Sequence, residues 1–162
     1  MFTDDVHELA KRVLNKARVN RLHIATVESC TGGLIAASLT EIPGSSDVFE
    51  CGFIVYSDNA KTRLLGVPET LLKRVGAVSA DVACAMAKGA LENSNAELSV
   101  AVTGIAGPSG GTTLKQVGLV HIAAAREGLE VQHRACEFGD VGRSQVRLLT
   151  VDAALKLLLR VM

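Results

Sequence analysis

The chain has 162 residues, the length of one domain, and 48% of them are apolar, enough for a packed core. Seventeen Lys and Arg balance 17 Asp and Glu, and the aromatic residues are four Phe and one Tyr. That balance argues against a basic nucleic-acid surface and against a base-stacking platform, so no nucleic-acid partner is expected.

Val6, Leu9, Ala10, Val13, Leu14 and Ala17 recur at helical spacing behind Thr3, Asp4 and Asp5, which make an N-cap and a first turn. This acidic, amphipathic start lacks the basic and apolar regions of a signal peptide. No apolar run approaches the ~18 residues of a membrane span, so a cytoplasmic chain without a membrane partner is expected. His23 to Glu28 reads as a short buried strand, and Gly32 to Ile42 as a helix that stops before Pro43 and Gly44. Phe53 to Tyr56 lies in a second strand, CGFIVY, followed by a helix from Asp58 to Leu65 that Gly66 terminates, with Pro68 beyond. A short helix over Glu69 to Val75 comes next, and Ser79 with Asp81 opens an Ala-rich helix from Ala80 to Asn93.

Leu98 to Thr103 is a third buried strand, and Gly118 to Arg126 with Val131 to Phe138 forms a hairpin pair. The last helix, Arg143 to Met162, carries two apolar stripes: Val146, Leu149, Ala153 and Leu157, then Leu148, Val151, Leu155 and Leu158. A helix apolar on two sides is buried in its domain or against another subunit, and a homo-oligomer is expected on that ground. Strand–helix alternation followed by a hairpin predicts a single domain over residues 1–162. Its fold class is α/β, a three-layer α/β/α sandwich around a mixed, mainly parallel sheet.

Three segments begin where strands end, which is where sites gather in open α/β sheets. The first runs Glu28-Ser29-Cys30-Thr31-Gly32-Gly33 into a helix start, whose free amides favour an anion. Ser29 and Thr31 read either as helix caps around a tight glycine turn or as parts of a reactive turn. Cys30 is a competing nucleophile, but no His stands near it in sequence, and a buried structural thiol is the commoner fate. In the second segment Tyr56 ends an apolar strand, and Lys61 lies one turn into the next helix. Such a lysine is ordinarily solvated; as a base it must be neutral, with burial lowering its pKa from ~10.4 to about 7–8. The third segment, Thr103 to Thr113, holds Gly104, Gly107, Gly110 and Gly111 around Ala106. It lacks the Gly-Lys-Ser/Thr ending of a P-loop, yet its backbone can approach a phosphate or ribose. Cys30, Cys51, Cys84 and Cys136 form no C-x-x-C pair, and His7, His23, His121 and His133 add no close ligand pair. Reduced thiols and no metal are expected.

Taken in order, ESCTGG, YS-x-x-A-K and TGIAGP-x-GG are far more specific than any one of them. With GAVS, Val117-Gly118 and the Arg-bearing last helix, they make the chain resemble the CinA C-terminal domain family along essentially its whole length. Those proteins are nicotinamide-nucleotide amidases, which deamidate nicotinamide mononucleotide in pyridine-nucleotide salvage. The resemblance implies a cofactor-free serine amidohydrolase with Ser29 as nucleophile, Lys61 as base and Tyr56 as an assisting or positioning group. The amides of Thr31, Gly32 and Gly33 are then candidates for the oxyanion site. Thr103, Gly104, Ala106, Gly107 and Arg147 are candidates for the ribose and phosphate. The chain departs from the family where Gly139-Asp140 is followed by Val141, the Arg coming later as Arg143. It departs again in reading Lys115-Gln116-Val117-Gly118 where many members have Lys-Pro-Val-Gly. Many members also carry an N-terminal molybdopterin-binding-type domain, and here the C-terminal domain alone is expected. The alternative function is a non-catalytic nucleotide-binding or regulatory domain of competence/damage-inducible type.

Overall fold

A computed structural model describes residues 2–162. Helix α1 (Asp4–Asn20) leads into strand β1 (Ile24–Glu28), helix α2 (Leu34–Thr40), a 3-10 turn (Ser45–Asp47) and strand β2 (Phe49–Ile54). Helices α3 (Asp58–Leu65), α4 (Glu69–Val75) and α5 (Ala80–Glu92) follow, then β3 (Leu98–Gly104), β4 (Leu119–Arg126), β5 (Gln132–Glu137) and α6 (Arg143–Val161). None of the helices among the described residues is long and apolar enough to cross a membrane.

The five strands form one sheet in the order β2-β1-β3-β4-β5. β1 pairs parallel with β2 and β3, while β4 runs antiparallel to both β3 and β5. Four strands therefore share one direction and only β4 opposes them, so the sheet is mixed and mainly parallel. Alternation along β1 divides the interior. Ile24 packs with α1, α2 and α6 on one face, and Ala25 and Val27 pack with α3, α4 and α5 on the other. These are the three layers of the sandwich.

Two elements differ from the sequence expectation. Helix α2 starts at Leu34, because Gly32 and Gly33 adopt left-handed φ values of +60° and +99° that belong to a turn. Strand β2 begins at Phe49 and ends at Ile54. Its register against β1 skips Glu50, with Ile24 opposite Phe49 and Ala25 opposite Cys51, and a bulge of this kind breaks the alternation that marks a strand. Most of the two apolar stripes of α6 is covered inside the chain, Leu148 and Leu149 staying half-buried. Val146, Val151, Ala153, Leu155, Leu157 and Leu158 are buried, and the helix packs on α1, α2, β3 and β4.

Because β1, β2 and β3 are parallel, their carboxyl ends lie side by side. The Val55 amide donates to the Glu28 carbonyl at 2.9 Å, and the Ser29 amide to the Val102 carbonyl at 3.2 Å. Those bonds bring Ser29, Tyr56 and Thr103 to one edge of the sheet.

Candidate active site

Ser29 follows the last residue of β1, half-buried, on a turn that reverses into α2. The turn is held from two sides. From beneath, Glu28 (1% exposed) accepts the amides of Gly33 and Ile35 on Oε2, both at 3.0 Å, and that of Ala36 on Oε1 at 2.8 Å. From above, Arg147 Nη2 donates to the Thr31 carbonyl at 2.8 Å, passing where Gly32 has no side chain; a Cβ there would stand 3.5 Å from the guanidinium. The Gly32 amide closes the turn onto the Ser29 carbonyl at 3.2 Å. Of the three amides expected to form the oxyanion site, those of Gly32 and Gly33 are therefore engaged. Thr31's remains, beside the Cys30 sulfur. Glu28 was legible only as one charged residue closing an apolar strand, and its capping role is a finding of the structure.

Lys61 is the largest fully buried side chain among the described residues, 1% exposed. Its Nζ donates to the Tyr56 carbonyl at 3.3 Å and stands 3.8 Å from Asp58 Oδ1. Burial lowers its pKa, against the opposing pull of Asp58 and smaller effects of Cys30 and Tyr56. A lysine this buried on a short helix is no solvated surface residue. Ser29 Oγ makes no hydrogen bond among the described residues, and Lys61 is tied to β2 through Tyr56. Because Lys61 Nζ holds the Tyr56 carbonyl and the neighbouring Val55 amide holds the Glu28 carbonyl, the amine lies at the same edge of the sheet as the Ser29 turn. Burial raises the Cys30 thiol to about 11, so it is a thiol at neutral pH.

Tyr56 meets Lys61 through its backbone carbonyl. Its ring is 62% exposed, and its hydroxyl accepts from Arg143 Nη2 at 3.1 Å. Arg143 Nη1 donates to the Gly107 carbonyl at 3.0 Å, so this exposed guanidinium spans the gap between β2 and the glycine loop after β3. Arg147, by contrast, is half-buried against the Ser29 turn, and its Nε and the Thr31 Oγ1 are both buried without a partner among the described residues.

The glycine loop is pinned again where Lys115 Nζ reaches the Val75 carbonyl at 2.6 Å, at the end of α4. Within it the expectations divide. Gly107 (φ +80°) borders the gap as expected, and Gly104 lets the chain run against β4, where a Cβ would lie 2.6 Å from Val120. Thr103 is buried with its hydroxyl donated to the Ala77 carbonyl at 2.9 Å, and Ala106 lies in the core. Neither presents a side chain to a ligand. A cavity of about 420 Å³ opens farther along this edge, lined by Thr113, Glu137 and their neighbours and by none of the Ser29–Lys61 group. Among the described residues no three His, Cys, Asp or Glu converge.

The family profile described as CinA C-terminal domain matches residues 6–162. A "CinA-like protein" of Akkermansia muciniphila is 56% identical over 124 residues, covering 76% of this chain and 30% of that protein. A "putative competence-damage inducible protein" of Caldicellulosiruptor bescii is 47% identical over 152 residues, covering 93% and 36%. The chain thus spans about a third of the length of these curated relatives. Among solved structures, the competence/damage inducible protein CihA of Agrobacterium tumefaciens superposes with a TM-score of 0.97 at 48% identity, covering 99% of this chain and 97% of that one. A CinA superfamily protein of Escherichia coli gives 0.92 at 32% identity, covering 100% and 94%.

Proposed function

The chain belongs to the CinA C-terminal domain family, and from that premise we propose that it is a nicotinamide-nucleotide amidase working through Ser29 and Lys61. The observation that supports this reading best is a lysine 1% exposed, its pKa lowered by burial, at the same sheet edge as a serine that follows a parallel strand. Only a neutral amine can take a proton, and burial favours the neutral form.

Ser29 Oγ attacks the carboxamide carbon of nicotinamide mononucleotide while its proton passes to Lys61 Nζ. The tetrahedral oxygen faces the Thr31 amide. Lys61 returns the proton to the departing nitrogen, and ammonia leaves with the C–N bond. Water then adds to the Ser29 ester through the same amine, releasing nicotinate mononucleotide and the free hydroxyl. Arg143 takes the phosphate, since its present partners, a carbonyl and a phenol, are neutral and a charged acceptor binds a guanidinium about twice as strongly. Arg147 holds the nucleophile turn instead.

Ammonia release from nicotinamide mononucleotide tests the reading. Ser29→Ala and Lys61→Arg are each expected to lose at least about a thousandfold in turnover, and the double variant little more, because the two act as a unit. Arg at position 61 stays protonated and cannot serve as base. Near-normal turnover by Lys61→Arg refutes the base assignment. Binding of the nucleotide by the unaltered protein with no ammonia release moves the chain to the non-catalytic, regulatory reading.

A further inference from the structure

We propose that Asp58 is a positioning residue for this reaction, acting through Lys61: its carboxylate, 3.8 Å from the buried Nζ, controls how readily that amine takes up and releases the Ser29 proton. The inference rests on the reading of Lys61 as the base. Asp58 is the first residue of α3, three before Lys61, so the two share a face of the helix. The capping of that helix is done by Ser57, whose hydroxyl accepts the Ala60 amide. Asp58 is therefore not spent on the helix end.

Among the described residues, no other carboxylate stands within ion-pair distance of Lys61. From the turn after β1 it faces the Cys30 thiol, which is uncharged at neutral pH. From the end of β2 it faces Tyr56, whose hydroxyl is held by the Arg143 guanidinium. Helices α4 and α5, which pack against α3, bury Leu72, Val82 and Met86 in the core on this side of the sheet. On the solvent side Asp58 shares a cavity of about 230 Å³ with Glu69 and Lys73, and those two already face each other at 3.5 Å.

The pair is lopsided in a way that matters. The amine is 1% exposed and the carboxylate 62% exposed. Burial pushes the amine toward its neutral form, and Asp58 pulls it back toward the charged one. Solvent ions reach only the carboxylate, so its pull is weakened by salt while the burial is not. At this separation and exposure the attraction corresponds to about a three- to tenfold change in a proton equilibrium.

The test compares the unaltered protein with Asp58→Asn and Asp58→Glu in two measurements: the NMR titration of the Lys61 ε-methylene, and ammonia release against pH. In Asp58→Asn both the titration and the acid limb of the rate are expected at lower pH, with about three- to tenfold more rate below the original limb. Asp58→Glu keeps the charge and stays near the original limb. High salt moves the unaltered protein toward Asp58→Asn and leaves Asp58→Asn where it is. A Lys61 titration identical with and without the Asp58 charge overturns the inference. A titration that moves while the rate limb stays upholds the coupling and overturns instead the assignment of Lys61 as base.

Discussion

Helix α3 opens on Ser57, whose hydroxyl takes the Ala60 amide at 3.1 Å on an exposed surface, while α2 opens on Gly33, which has no side chain to offer. The orphan amides of α2 are taken by Glu28, reaching forward from the preceding strand inside the protein. The two helices follow neighbouring strands at the same edge of the sheet, and they meet one requirement, satisfied N–H groups, by opposite means. A surface hydroxyl costs little and holds little. A buried carboxylate with three donors fixes the backbone between itself and the helix, and that backbone is the Ser29 turn. The difference follows what each start must carry: α3 presents a long, flexible side chain, whereas α2 follows a short one that the backbone alone aims.

The largest effect expected from this contrast is on stability at Glu28. Glu28→Ala leaves three amides without their acceptor and is expected to cost about 3 kcal/mol in urea unfolding, most of it kept in Glu28→Gln, whose NH₂ meets N–H donors. Lys61→Met, at the other helix, is expected to stabilise the protein while abolishing ammonia release. Because the pKa of Lys61 is lowered in the folded state, the cost of burying its charge is fully present below that lowered value. It is relieved as pH rises toward the ~10.4 of the unfolded chain. The gain in Lys61→Met should therefore shrink on going from neutral to alkaline pH, and a gain independent of pH contradicts the cause given. Ser57→Ala is expected to cost about 1 kcal/mol; a loss equal to that of Glu28→Ala ends the comparison. Smallest of all, Cys30→Ala should keep most of the turnover, since its sulfur is a protonated thiol, and thiol-blocking reagents should react with it slowly.

Much of this arrangement could be read from residue order. Helices α3 and α4 stand at the residues expected of them, with Gly66 ending the first and Pro68 before the second, since their signals are local. What escaped reading is non-local. Glu28 bonds amides five, seven and eight residues ahead, a reach that only the turn at Gly32 and Gly33 makes possible. Arg143 and Arg147 lie four apart on one helix and look alike in sequence. The first bridges Tyr56 and Gly107 at the surface, and the second grips Thr31 half-buried. Thr103 and Ala106 read as site residues because they flank glycines, yet tertiary packing turns both inward. Periodicity showed α6 to be apolar on two sides, and only the packing of α1, α2 and the sheet shows what covers them.

The carboxylate beneath the Ser29 turn also sets how charge is laid out along this edge of the sheet. A helix start ordinarily attracts anions, but here a full negative charge already occupies the amides of Gly33, Ile35 and Ala36. The anion that this helix start holds is thus the chain's own, and the Arg147 guanidinium on the Thr31 carbonyl stands over the same turn with the opposite charge. The Arg143 guanidinium has no such counterpart: its partners are a phenol and a carbonyl, so the positive charge at the Tyr56–Gly107 gap is left facing solvent without a carboxylate to balance it among the described residues.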